Sequence, residues 1–406
     1  MESRKKIIIL MEKGVKIPDP GSVFIGEAVD PARISSKNVV LYPGTRIFGE
    51  KTLIMSGATL GFEGPVTIDN SFVGPDVSLK GGFFQGAVFA GKNSFGSGAH
   101  VREGTILEEE ACAAHTVGLK QTILFPFVTL GSLINFCDCL MAGGTSRKDH
   151  SEVGSSFIHF NYTPNQDKAT PSMFGNIHQG VMLNCRPVFL GGQGGIAGPC
   201  RLAFGSVTAA GTLCRRDELR QNRLIFGGAL NQGSIPRAEG IYSNPGRIFK
   251  SNCLYIAGLI SLKNWYQHVR ILFTHDFFSE ELLHGMNRVL QQGIDERIKR
   301  LKYFCHKLEA SREMLLSKSN GKKTGLIHRH DEIIHRWGSV EKMFISESEL
   351  DRTGIVPEKF LEAVYNGIKE NGKDYIRVVK SIDPAAASAG TAWLESITRT
   401  IMDRTK

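Results

Sequence analysis

Residues 77–107 read VSLKGGFFQGAVFAGKNSFGSGAHVREGTIL, and within them Val77, Phe83, Phe89, Phe95, Val101 and Leu107 stand six positions apart. A period of six fits neither the 3.6-residue turn of an amphipathic helix nor the alternation of a half-buried strand. It fits a solenoid in which each short strand sends one apolar side chain inward before the chain turns a corner. Shorter ladders lie on either side: Leu41, Ile47 and Leu53; Leu60, Val66 and Phe72; Ile177, Leu183 and Phe189; and, one residue out of step, Leu190, Ile196 and Leu202. Glycine follows the inward residue at Leu60-Gly61, Val73-Gly74, Phe95-Gly96, Leu130-Gly131, Val153-Gly154 and Leu190-Gly191, where a Cβ would obstruct the turn. The period predicts a mainly β chain built as a parallel β-helix, interrupted by polar excursions at 142–150 and 163–172. Excursions from a rigid coil are where binding residues are expected.

Outward from this core the composition changes. Of 45 glycines, 35 fall in residues 1–250, whereas Trp265, Trp337 and Trp393 all come later. The reading is therefore an N-terminal segment (1–20), a β-helix (21–250) and an α-helical region (251–406). Residues 251–273 carry no clear period. From Leu282 to Leu315 apolar residues step by three and four along a long helix, with Ser279 as its expected N-cap. Further helices are expected over 328–344, 357–368 and 385–402, broken at Asn320-Gly321 and Arg352-Thr353-Gly354.

The 406 residues provide for two or three domains at about 150 residues each. Apolar residues make up 41% and charged residues 22% of the chain. The apolar run Ile7 to Met11 is too short to span a bilayer and lacks the cleavage site of a signal peptide, so a cytoplasmic location is expected. Eight cysteines without a C-x-x-C pair point to reduced thiols rather than a disulfide framework or a zinc site. His115, His150, His159 and His178 form no paired ligand motif, and no metal is expected. The net charge of +9 is dispersed without a basic block, which argues against nucleic acid and for anionic small molecules.

Several segments carry a resemblance: Val101-Arg102-Glu103-Gly104, Leu119-Lys120, residues 153–162 (VGSSFIHFNY) and Ala209-Ala210-Gly211-Thr212. Across roughly residues 90–215 this text resembles the left-handed β-helix domain of the bifunctional N-acetylglucosamine-1-phosphate uridyltransferase and glucosamine-1-phosphate acetyltransferase family. The resemblance implies a homotrimer with its site between adjacent β-helices, acetyl-coenzyme A as cosubstrate, and a phosphorylated or UDP-linked amino sugar as acceptor. It places Arg102 and Lys120 on the acceptor's phosphate and sugar, Asn161 and Tyr162 at the acyl thioester, and Lys168 one residue from a family lysine near the cofactor. Cations suit this task, since arginine and lysine are strong donors to phosphate.

Two departures matter. Ungapped continuation from Lys120 puts Ser132 where the family has its catalytic histidine and Asn135 where it has a sugar-contacting tyrosine. Serine alone cannot be the base, so His159 and His150 are the candidates to take the amine's proton. Only about 20 residues precede the first coil, so uridylyl transfer is not expected. Arg147 and Lys148, in the excursion 143–150 (GGTSRKDH), are further candidates for holding an anion. The alternative function is a non-catalytic nucleotide-sugar-binding or scaffold protein that has lost its base.

Overall fold

The computed structural model describes residues 2–227, 239–319, 324–350 and 356–406. The expected breaks at Asn320-Gly321 and Arg352-Thr353-Gly354 lie outside the described residues. About eleven turns of left-handed parallel β-helix form the first part of the chain. Among the described residues, two-to-four-residue strands stack into three parallel sheets of ten, ten and eight strands, one for each face of the coil. The first face runs from Val40–Leu41 to Leu224–Ile225, the second from Phe24–Ile25 to Leu213–Cys214, and the third from Leu53–Ile54 to Arg201–Leu202.

Inward rows follow directly from the register. On the first face Leu60, Leu79 and Phe95 stack, and on the third Val73, Phe89 and Leu107. The second face stacks Ile47, Ile68, Phe84, Val101 and Leu119. The expected ladder is corrected at one rung: Phe84 is the fully buried residue, while Phe83 faces outward against the His100 ring, 5.2 Å between centroids. Gly74 and Gly191 show why small residues recur at corners. A Cβ on either would stand 2.5 Å from a carbonyl oxygen of the next coil, so the side chain is excluded by coil spacing rather than by φ.

The second correction concerns Ile177, Leu183 and Phe189. Ile177 opens a short helix, Leu183 sits in a turn, and Phe189 points outward. The 142–150 excursion is an antiparallel hairpin pairing Gly144–Ser146 with Asp149–His150.

Among the described residues there are eight α-helices: α1 Glu2–Glu12, α2 Ile177–Gly180, α3 Pro245–His268, α4 Phe277–Lys318, α5 Gly325–Glu349, α6 Glu358–Asn371, α7 Tyr375–Ser381 and α8 Pro384–Asp403. The stretch without a clear period is mostly α3. It is buried around its whole circumference against α4, α5 and α8, which is why it shows no apolar stripe. The N-cap of α4 is Asp276 rather than Ser279; Ser279 occupies the third helical position and returns its hydroxyl to the Asp276 backbone in a capping box.

Helix α4 lies along the third face, against the strands Leu53–Ile54, Phe72–Val73, Ala87–Phe89 and Thr105–Leu107. Twelve helical residues rise about 18 Å, close to the roughly 19 Å of four steps between stacked strands, so α4 keeps pace with the coils along this face. Gly285 meets the Phe72 ring, Val289 lies beside Gly86 and Glu103, Gly293 faces Gln121, and Arg297 reaches Asp138. One apolar cluster runs through coils and helices together. Among the described residues no helix is long and apolar enough to cross a membrane.

Candidate functional site

At the corner between the second and third faces the register stacks Lys120 on Cys137, and Arg102 hydrogen-bonds the Leu119 carbonyl through its backbone, one coil away. Asn135 projects outward from the strand Ile134–Cys137. Asn161 and Tyr162 follow the strand Ile158–Phe160, and Lys168 comes from the second excursion. Together with His159 these side chains line one cavity of about 430 Å³. The opposite wall is α4, which contributes Glu296, Arg297 and Arg300. Residues far apart in sequence converge because successive coils place equivalent positions above one another.

The cavity is rich in cations, and most of them have acidic neighbours. Lys120 Nζ stands 2.5 Å from Glu103 Oε1. Partial burial raises the Glu103 pKa, but the hydrogen bond from Lys120, a backbone hydrogen bond and the charges of Lys120 and Arg102 together hold the carboxyl below its ordinary value. Arg300 donates to Glu296 one turn earlier, through Nε at 2.7 Å and Nη2 at 2.6 Å. Arg297 is 2% exposed, and its Nη2 is 2.6 Å from Asp138 Oδ1. Its Nε and Nη1, and Nε of Arg102, are buried with no hydrogen-bond partner among the described residues. Burial, and next the Asp138 charge, push the Cys137 thiol up to about 11, so it is protonated near neutrality.

His159 occupies an inward position of the second face, beside Ile196, and is 4% exposed. Asn161 Nδ2 donates to Asp138 Oδ2 at 2.7 Å, which leaves Asn161 Oδ1 as the acceptor facing His159 Nδ1 at 2.5 Å. The proton therefore sits on Nδ1, and Nε2 accepts from the buried Ser172 hydroxyl at 2.7 Å. Burial lowers the His159 pKa to about 4, against the opposing pull of Asp138, so the ring is neutral at pH 7. Its basic nitrogen points into the coil and its N–H toward the cavity wall, which does not suit the expected role of base.

Three other candidates lie elsewhere. Arg147, Lys148 and His150 belong to the hairpin beside the first face and do not line the cavity. Arg147 Nη1 donates to the carbonyls of Glu110 (3.0 Å) and Phe127 (2.7 Å) and to Thr129 Oγ1 (2.9 Å), so this cation clasps coil ends. His150 Nδ1 is 2.9 Å from the Arg147 carbonyl oxygen and holds the hairpin closed. Lys148 is exposed at its tip. Ser132 also lies outside the cavity lining.

Sequence reasoning missed Glu296, Arg297, Arg300 and Asp138. One signal was present: Arg297 falls between Ile294 and Leu301, inside the apolar stripe of α4, where a charge needs a buried partner. A second cavity, about 410 Å³, lies at the far edge of the third face between Ala90, Glu109, Arg270 and Tyr375, and holds none of the residues that carry the resemblance. Among the described residues no group of three or more His, Cys, Asp or Glu side chains converges as a metal site.

The parallel coils fit the left-handed β-helix acyltransferase domain to which the sequence resemblance points. Half of the chain is homologous to proteins named bifunctional protein GlmU. The protein from Clavibacter sepedonicus is 26% identical over 204 residues, 50% of this chain and 36% of its own length. Those from Carboxydothermus hydrogenoformans and Thermotoga maritima are each 25% identical over 214 residues, 53% and 52% of this chain and 42% of their own. The chain thus spans about two-fifths of the curated relatives it matches. No family model matches. LpxA from Acinetobacter baumannii superposes at 15% identity over 53% of this chain and 70% of that chain, with a TM-score of 0.27, too low to add to the argument.

Proposed function

We propose that this protein holds a phosphorylated or UDP-linked amino sugar in the cavity between the coils and α4 and transfers an acyl group to its amine from a thioester, with acetyl-coenzyme A as the expected donor. The observation that carries this reading is the convergence of Arg102, Lys120, Asn135, Asn161, Tyr162 and Lys168 on one cavity. Arg102 and Lys120 bind the phosphate, and Asn135 contacts the sugar. Tyr162, 69% exposed, lies where the thioester arrives, with Asn161 and Lys168 beside it. A homotrimer belongs to this proposal, as does a cytoplasmic location.

The geometry changes the expected chemistry of the proton. Among the described residues His159 is the only histidine lining the cavity, and it presents N–H rather than a lone pair. The amine therefore reacts as the free base, and the proton its nitrogen sheds as the amide forms goes to the departing thiolate, which leaves as the thiol. Neighbouring guanidinium and ammonium groups favour that form by disfavouring a second positive charge. The pH–rate profile then follows the ionisation of the bound amine, without an inflection from a histidine near pH 6.5.

The experiment is thiol release from acetyl-coenzyme A with glucosamine-1-phosphate and UDP-linked amino sugars as acceptors, for the native protein, Arg102→Ala and Lys120→Ala. Release by the native protein and its loss in both variants is the expected result. Sugar binding without release establishes the second reading, a binding or scaffold protein, which the occupied nitrogens of His159 favour. Neither binding nor release overturns both.

A further inference from the structure

The coil side of the cavity carries the resemblance to a site shared between subunits, yet in this chain a wall is already supplied by α4. We infer that Arg297 and Arg300 of α4 complete the anion-binding site within a single chain, as ligand-binding residues that act alongside Arg102 and Lys120. This inference rests on the cavity being the sugar-phosphate site proposed above.

Three observations carry it. First, the placement is built in: α4 runs along the third face, and the contacts at Gly285, Gly293 and Arg297 fix its register from Phe72 to Asp138. The helix therefore cannot slide without breaking a buried ion pair. Secondly, Arg297 is 2% exposed, while only its Nη2 is matched; Nε and Nη1 are buried donors without a partner among the described residues. Unmet buried guanidinium donors are costly, and a small turn of the side chain that brings them to an anionic or carbonyl oxygen in the cavity relieves that cost. The unpartnered Nε of Arg102 makes the same demand from the coil side. Thirdly, Glu296 and Arg300 stand one helical turn apart and line the cavity together. Their pair is the resting partner of a cation that a phosphate group can recruit, because arginine can serve a carboxylate and a phosphate through different edges of its guanidinium.

The ligand class follows from this arrangement. Arg102 and Lys120 on one wall and Arg297 and Arg300 on the other suit more than a single monoester: two phosphate groups, as in a nucleoside diphosphate sugar, meet cations on both walls. Of the two acceptors considered above, the UDP-linked sugar is the better match.

The test is calorimetric titration of the full chain with UDP-N-acetylglucosamine and with N-acetylglucosamine-1-phosphate. The proteins compared are the native form, Arg300→Gln, Arg297→Gln and Arg102→Ala, each checked for native circular dichroism. Arg300→Gln is decisive because among the described residues its side chain pairs within α4, with Glu296, so the variant is expected to fold. The expected result is tighter binding of the UDP sugar by the native chain, weakened on the order of tenfold or more in Arg300→Gln, as loss of a charge-assisted bond implies. Native-like binding by Arg300→Gln with loss in Arg102→Ala overturns the role of α4 and leaves the sugar-phosphate reading standing. No binding of either sugar to the native chain overturns both.

Discussion

His159 gives the sharpest quantitative handle on the site. Its pKa is lowered to about 4 in the folded chain, chiefly by burial, from an ordinary 6.5. Below pH 6.5 the unfolded chain gains a proton that the folded chain refuses. Stability is therefore lost as pH falls from about 6.5 toward about 4, and the loss levels off below that. Between pH 7 and pH 5 those two values give a loss of about 2 kcal/mol from this residue, with a limit of roughly 3 kcal/mol at lower pH. Other groups titrate in the same range, so the comparison is with His159→Gln, which keeps a donor for Asn161 and an acceptor for Ser172 but cannot ionise. Urea unfolding followed by far-ultraviolet circular dichroism at pH 7 and pH 5 should show the native protein losing about 2 kcal/mol more than the variant. The ring itself can be followed by NMR as the signal that disappears in His159→Gln. A His159 signal titrating between pH 6 and 7, or equal acid sensitivity of the two proteins, would refute both the buried tautomer and the argument that the amine enters as free base.

Other consequences follow from neighbouring contacts. Gly285→Ala puts a Cβ 2.5 Å from the Phe72 ring, and the overpacking cost of about 1–3 kcal/mol exceeds the gain in helix propensity of about 1 kcal/mol; melting should fall, and Phe72→Leu in the same chain should restore it. Arg147→Ala removes bonds that clasp two coil ends and should cost about 1 kcal/mol in unfolding experiments while leaving sugar binding by calorimetry unchanged. Glu108 is fully buried beneath the Tyr266 hydroxyl, 2.6 Å away, and burial raises its pKa to about 7 despite the nearby Arg270 charge. Its contribution is fully present below about pH 4.5, is lost as pH rises toward 7 and levels off above that, opposite in sign to that of His159; Glu108→Gln should remove this fall between pH 5 and 7 in the same urea experiment.

The coils were legible because each must bury one side chain at a nearly constant interval, and that demand is written in single residues such as Phe89, Phe95 and Val101. The reading slipped at Phe83 because Phe84 beside it is equally apolar, and the short passage through Gly81 and Gly82 moves the inward position by one. It slipped again at Ile177 and Leu183, where a loop with its own helix happens to keep the six-residue spacing. The coil wall of the cavity could be read from Arg102, Lys120, Asn161 and Tyr162, whose neighbours along the chain carry a motif. The α4 wall could not. Arg297 meets Asp138 through an alignment of helix rise with coil rise that no local pattern encodes, and His159, offered as a base by residue type, is disarmed by Asn161 and Ser172 through contacts that only the folded coil creates.

A structure of the protein crystallised with UDP-N-acetylglucosamine tests the account most directly. The account predicts the diphosphate between Arg102 and Lys120 of the coils and Arg297 and Arg300 of α4 in the same chain, with His159 still bonded to Ser172. Ligand seated in the second cavity beside Arg270 and Tyr375, or held on the coil wall alone with Arg300 still closed on Glu296, would contradict it.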